Sequence, residues 1–312
     1  MKAYSIFDDF SEEALQNLEK AGMDVTVHPH GVSRPDRLAM KEILEKYDCV
    51  IIGTSQKISS DMFENVNTPK IIATASVGID HISIPENKRT LITVINTPNA
   101  NTQSVAEYNV GAMLMARKRY MEGNYLYSQG LDNKKLVRKP EDIHGATIGF
   151  VGAGRITTKT MELLRPFGVA YLCYSDDADK RGSLVDEYGV KFVSLQELAR
   201  KSDIISVNVP SNASTYHLIS ADIISKMKED CIFISIARNQ VVDLLKLFDK
   251  AENCPNFYCV LDLDVLPDCI GKNNSRNILI TPHIAGGTVE TRKRMFRELA
   301  ERVDRLLEIK QW

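Results

Sequence analysis

The feature that most constrains this 312-residue chain is a rhythm of short apolar runs. They read DCVIIG at 48–53, KIIATA at 70–75, LITVIN at 91–96, TIGFVG at 147–152, AYLCY at 170–174, DIISVNV at 203–209, CIFISI at 231–236 and FYCVLD at 257–262. Each is rich in Ile and Val, and many end at Gly, Asn or Asp. Runs this short and this uniformly apolar suit strands buried on both faces of a parallel sheet. Between them lie helical patterns at 11–21, 35–46, 104–120, 155–166, 194–201, 220–228 and 242–251. Strands alternating with helices predict an α/β protein with doubly wound sheets.

The length exceeds one ordinary core and predicts two domains. Residues 102–120 read as one long helix, entered from the turn-rich junction NTPNAN at 96–101. The glycine-containing turn at 152–154 comes much later, so a complete α/β unit precedes it. A last helix over 288–308 follows TPHIAGG at 281–287, placed to pack back onto that first unit. The expected layout is a split domain, 1–99 with 286–312, interrupted by an inserted domain, 100–285.

A formal net charge of −2 gives no global basic field to attract nucleic acid. The clusters Arg117-Lys118-Arg119 and Arg292-Lys293-Arg294 read as the ends or outer faces of helices. The opening MKAYSIFDDF lacks an apolar signal core, and no run nears the roughly 18 apolar residues of a membrane span. A cytoplasmic protein is expected. The chain ends soon after its last helix, so no appended regulatory domain is expected. Six cysteines show no ligand-like spacing, and Cys49, Cys173, Cys231 and Cys259 lie in apolar runs as small hydrophobes. No metal site is expected.

The segment 147–168 is an apolar strand, a turn and a helix. Gly152 permits a tight turn, and Gly154 lets the backbone approach a pyrophosphate. The helix starting near Arg155 and Ile156 then presents free N–H groups and its positive end to that anion. The third glycine of such a motif is Thr157 here, at the position that governs close packing of helix on strand. An acidic residue should follow the second strand to grip the adenosine ribose. Ser175 holds the expected place, with Asp176 and Asp177 next and Lys180 and Arg181 beyond. Two carboxylates disfavour a 2′-phosphate, so NAD is expected over NADP.

Several ordered motifs now resemble the D-2-hydroxyacid dehydrogenase family, the group containing phosphoglycerate, glycerate and D-lactate dehydrogenases. They are SVGIDHISI at 76–84, VINTPNANTQSVAE at 94–107, the dinucleotide turn, DIISVNVPSNASTYHLI at 203–219, CIFISIARNQVVD at 231–243 and ILITPHIAGGTVE at 278–290. The resemblance spans nearly the whole chain. It implies a Rossmann dinucleotide-binding domain inserted into a flavodoxin-like substrate domain, and a homodimer built on the 102–120 region. It also implies cofactor contacts from Val209, Pro210, Thr215, Ile236, Ala237, Asp262 and Gly286. The substrate would be a small 2-hydroxy or 2-keto acid held in a cleft that closes to bring Val77 and Gly78 toward Arg238 and His283.

The chemistry agrees with those positions. Arg238 ends an apolar strand, where a guanidinium fork can bind a substrate carboxylate and polarise the neighbouring carbonyl. His283 follows Pro282 and can carry the proton in either direction near neutral pH. Backbone N–H groups around Val77 and Gly78 could form an anion nest, with Ser76 a further side-chain candidate. The family's third catalytic residue is a glutamate that orients the histidine, and residues 263–277 contain none. Asp268 is the first candidate in its place, absence of any carboxylate partner the second, and Asp264 the third; one alignment puts Cys269 there. Thr157, Ser175, Asn239 and the missing glutamate also keep open a dinucleotide-sensing or scaffold protein of the same fold. An NADP-dependent reductase of glyoxylate or hydroxypyruvate is a further alternative. The remaining histidines, His28, His30, His81, His144 and His217, receive no catalytic role, though His81 lies near the proposed substrate loop.

Overall fold

Two all-parallel sheets organise the chain. The structure is a computed structural model and describes residues 1–136, 138–176, 181–265 and 276–309. Two units divide it: Met1–Asn101 with Thr288–Trp312, and Thr102–Gly287.

The first unit holds strands β1 (Lys2–Ser5), β2 (Asp24–Val27), β3 (Cys49–Ile52), β4 (Lys70–Thr74) and β5 (Ile92–Ile95), in the order β2-β1-β3-β4-β5. Every residue of β3 and β4 is buried, as their unbroken apolar runs require. Helices α1 (Glu12–Lys20) and α2 (Arg37–Lys46) begin at the side-chain caps Ser11 and Asp36, each accepting from a backbone N–H three residues on. The last helix, numbered α10 below (Val289–Ile309), turns Phe296, Leu299, Ala300 and Val303 into this core. Phe296 meets Phe10 at 4.4 Å and Phe7 at 5.2 Å between ring centroids.

The second unit begins with helices α3 (Thr102–Arg117) and α4 (Tyr120–Ser128). Its strands are β6 (Thr147–Val151), β7 (Ala170–Tyr174), β8 (Lys191–Phe192), β9 (Ile204–Val207), β10 (Ile232–Ser235), β11 (Tyr258–Asp262) and β12 (Ile278–Thr281). Between them run α5 (Arg155–Leu164), α6 (Arg181–Tyr188), α7 (Leu195–Lys201), α8 (Ala221–Lys226) and α9 (Leu244–Asn253). The sheet order is β12-β11-β10-β9-β6-β7-β8. Strand order therefore reverses between β6 and β9, the point where open α/β sheets bind ligands.

Four strands among the described residues escaped the apolar-run reading, β12 because its ILIT was read only within the motif at 278–290. β2 is an edge strand that alternates exposed and half-buried residues, and β8 is two residues long. β1 is interior but carries Ser5, fully buried, whose hydroxyl bonds the backbone of Phe7. The helix expected over 102–120 stops at Arg117, and Arg119 turns left-handed at φ 56° before α4 starts. Arg119 is buried with its guanidinium 4.6 Å over the Tyr258 ring, while Arg117 and Lys118 pair with Glu141 and Asp142. The basic triplet thus closes a helix but sends one cation inward, and that demand breaks the helix. Cys49, Cys173, Cys231 and Cys259 are buried, and burial pushes the Cys49 thiol up to about 12. Asp177, Lys180, Asp268 and Cys269 lie outside the described residues.

Removing the Phe296 ring should leave a cavity beside Phe7 and Phe10. Phe296→Ala is expected to cost about 3–5 kcal/mol in urea unfolding. Leu38→Ala, on α2 with a side chain 69% exposed, should cost under about 0.5 kcal/mol. Equal midpoints for the two variants would contradict the packing assigned to α10.

Candidate active site

Because the strands of the second unit are all parallel, their carboxyl ends share one edge. Gly152 follows β6, Ser175 and Asp176 follow β7, and Val209 and Pro210 follow β9. Ile236, Ala237 and Arg238 follow β10, Asp262 ends β11, and His283 and Gly286 follow β12. The edge thus gathers nearly all the sequence-predicted residues of this unit, and Thr215 joins them by donating its hydroxyl to Pro210 O at 2.7 Å.

The dinucleotide turn is held tightly. Gly152 has φ +101°, and a Cβ there would come 2.8 Å from Val209 Cγ1 and 3.3 Å from Asn208 O. Its N–H donates to Tyr174 O at 2.8 Å. Gly154 caps α5 with no side-chain hydrogen bond, and a Cβ there would meet nothing within 4 Å. A bare backbone corner leading into a ten-residue helix suits a pyrophosphate, so these residues fit a dinucleotide. Asp176 is exposed and hydrogen-bonded to the Tyr174 side chain. Burial, then the Asp176 carboxylate, pushes the Tyr174 hydroxyl above its usual range.

Arg238 and His283 meet although 45 residues separate them: the guanidinium donates from Nη1 to Nε2 of the ring at 3.2 Å. Arginine has no acceptor, so Nε2 supplies a lone pair and a neutral ring carries its proton on Nδ1. That nitrogen lies 4.0 Å from Asp262 Oδ2. His283 itself is left-handed, φ 53°, which is uncommon outside glycine and is held here by its neighbours. Its N–H bonds Thr281 O at 3.0 Å. Asp262, almost fully buried, accepts from Thr281 Oγ1 at 2.5 Å, Ile284 N at 2.8 Å and Ala285 N at 2.9 Å. Tyr108 on α3 donates to Thr281 at 2.7 Å, and burial raises the Tyr108 hydroxyl. Sequence reading missed Tyr108, which no motif marks.

Asp264, weighed above as a partner of His283, instead faces Arg238 Nε at 3.7 Å. Asn239 donates to Val265 O at 2.6 Å and so ties the Arg238 turn to the strand-end segment carrying Asp264. Asp268 lies outside the described residues.

In the first unit, Ser76, Val77 and Gly78 follow β4. Thr97 N donates to Ser76 O at 2.8 Å, Asn96 Nδ2 to Val77 O at 2.7 Å and Ser76 Oγ to Gly78 O at 2.7 Å. Three tethered carbonyls direct the following N–H groups the opposite way, since a trans peptide sets the two antiparallel. Thr74 Oγ1 lies 2.8 Å from Ser76 Oγ and 2.9 Å from His81 Nε2. Since Ser76 gives its proton to Gly78, Thr74 donates to Ser76 and His81 donates to Thr74. His81 is therefore a strut of this loop.

Comparison with known proteins agrees with this architecture. Residues 110–285 match the family model of the NAD-binding domain of D-isomer specific 2-hydroxyacid dehydrogenase. A glyoxylate reductase of Thermofilum pendens is 34% identical over 287 residues, covering 89% of this chain and 84% of the relative. A hydroxypyruvate reductase of Thermotoga maritima is 30% identical over 302 residues, covering 95% of each. The fold is that of D-lactate dehydrogenase from Aquifex aeolicus, solved with NAD and lactic acid, at TM-score 0.79 and 24% identity over 99% of this chain and 96% of that one. The chain belongs to the D-isomer specific 2-hydroxyacid dehydrogenase family, a family of oxidoreductases. Among the described residues, no helix is long and apolar enough to cross a membrane.

Asp262→Ala should strand three donors beneath the His283 turn. The expected cost is about 3 kcal/mol in urea unfolding, with faster amide exchange at Ile284 and Ala285. Wild-type exchange at both amides would show that the turn stands without this carboxylate.

Proposed function

We propose that the chain is an NAD-dependent dehydrogenase interconverting a small D-2-hydroxy acid and its 2-keto acid. The observation that carries this reading is the Arg238–His283 contact, 3.2 Å, at the strand ends of a unit matching an NAD-binding domain. A bound nicotinamide supplies or accepts the hydride at substrate C2. Arg238 binds the substrate carboxylate through its fork and polarises the adjacent carbonyl oxygen. His283 protonates the oxygen as it becomes an alkoxide and withdraws that proton in the oxidative direction. Asp262 fixes the turn that presents His283. The N–H groups of Val77 and Gly78 hold the substrate carboxylate, and Ser76 shapes their loop. Asp268, chosen from sequence as the acid beside His283, keeps that role within this proposal.

The dinucleotide would rest on Gly152, Gly154, Arg155 and Ile156, with Ser175 and Asp176 on the adenosine ribose. Val209, Pro210, Thr215, Ile236, Ala237, Asp262 and Gly286 complete its contacts. The exposed Asp176 carboxylate repels a 2′-phosphate, which favours NAD over NADP. Relatives named glyoxylate reductase and hydroxypyruvate reductase make those two keto acids the first substrates to try.

A panel of 2-keto acids assayed with both reduced cofactors tests the reading. Turnover with glyoxylate or hydroxypyruvate, and a higher kcat/KM for NADH than NADPH, are expected. Tight NADH binding with no turnover across the panel would leave a sensor or scaffold as the better account. His283→Ala should lower kcat about 10³-fold while the Kd for NADH, read by fluorescence, stays near wild type. Full activity in that variant would place the proton donor elsewhere.

A further inference from the structure

The third glycine of the dinucleotide motif is replaced here by Thr157, and the structure gives that replacement a job. Thr157 lies in the first turn of α5 and is fully buried. Its hydroxyl donates to Gly152 O at 2.7 Å. It also accepts from Asn208 Nδ2 at 3.1 Å. Asn208 follows β9, across the switch point from Gly152, and its own N–H donates to Val151 O at 2.9 Å. Asn208 Oδ1 accepts from Ser206 Oγ at 3.3 Å and from Asn109 Nδ2 of α3 at 3.2 Å. Asn109 is fully buried, and its Oδ1 has no partner among the described residues. α3 therefore bears the cost of an unsatisfied amide oxygen in order to hold Asn208.

We propose that Thr157 is a positioning residue for the dinucleotide, locking the Gly152–Ala153 peptide from below with Asn208 as its second anchor. The geometry is direct. A trans peptide carries its C=O and N–H on opposite sides. Gly152 O is drawn inward by Thr157, so the Ala153 N–H points outward from the turn. Gly152 N–H is meanwhile tied to Tyr174 O. Both polar groups of Gly152 are thus fixed, and the corner leading to Gly154 is set before any ligand arrives. A glycine at 157 would let helix and strand approach closely but would leave Gly152 O to other partners. This chain reaches the same rigidity with a hydroxyl, and the polar chain Thr157–Asn208–Asn109 ties the turn to β9 and α3. The inference rests on reading this unit as a nicotinamide dinucleotide site.

The test is NADH affinity by fluorescence titration, with thermal melting alongside. The wild type should bind NADH. Thr157→Val keeps the shape and loses the hydroxyl, and should weaken NADH binding about five- to tenfold, the worth of one hydrogen bond. The loss should fall on KM for NADH rather than on kcat. Thr157→Ser restores the donor and should bind within about twofold of wild type. In the cofactor-free protein, amide exchange at Ala153 should speed up in Thr157→Val and not in Thr157→Ser. A lowered melting temperature with wild-type NADH affinity in Thr157→Val would make the contact structural only and overturn the proposal. Should Thr157→Val fail to fold, Asn208→Ala supplies the measurement, with weaker NADH binding expected and unchanged affinity overturning it. A wild type that binds neither NADH nor NADPH would overturn the dinucleotide reading itself, an outcome separate from equal affinities in wild type and variant.

Discussion

Parallel pairing is the constraint on which the rest of this structure depends. In the second unit, β6 pairs with β9, β9 with β10, β10 with β11 and β11 with β12, all in parallel register. Residues far apart in sequence therefore arrive at one edge with little freedom between them. The strands themselves are apolar and buried, so they have no room for unpaired polar groups. The polar side chains of the candidate site lie where the strands stop, and the buried hydroxyls further in, Ser206 of β9 and Ser235 of β10, are small and hydrogen-bonded. The first unit follows the same rule: β4 is wholly buried, and the polar loop Ser76–Gly78 begins just past its end.

The same constraint explains what the sequence made legible. Strands buried on both faces must be continuous apolar runs, so β3, β4, β9, β10 and β11 were plain in the chain, and with them the α/β class. Edge strands are released from that demand. β2 alternates and β8 is too short for any pattern, and neither stood out. The break after Arg117 was hidden for another reason. Helical periodicity says that a side chain faces in or out, and a basic residue defaults to out. Arg119 goes in because Tyr258, more than a hundred residues later, offers an aromatic face. No local pattern announces such a partner.

The site divides in the same way. Strand-end residues could be picked out one by one, since each terminates an apolar run. Their mutual geometry could not. Asp262 was expected among the cofactor contacts, yet its carboxylate also takes three donors from the turn that carries His283. A left-handed histidine costs backbone energy of about 1–3 kcal/mol, and those three bonds are what hold it. Asp264 and Asp262 are two residues apart and end on different partners, Arg238 and the His283 turn. Spacing along a strand end cannot distinguish them, because only the fold says which neighbour each one meets.

The Arg238–His283 contact has a consequence for the proposed reaction. With a neutral ring, the guanidinium donates to Nε2 and the pair is content. A proton on Nε2 changes the contact to cation against cation at 3.2 Å. Two unit charges about 4 Å apart interact by about 4 kcal/mol at an effective dielectric near 20. The arrangement then calls for an anion within reach of both groups. Asp264 answers partly, but it approaches the Nε side of the guanidinium at 3.7 Å, away from the Nη1 that faces the ring. A substrate carboxylate on Arg238 would offset the remaining charge as it binds.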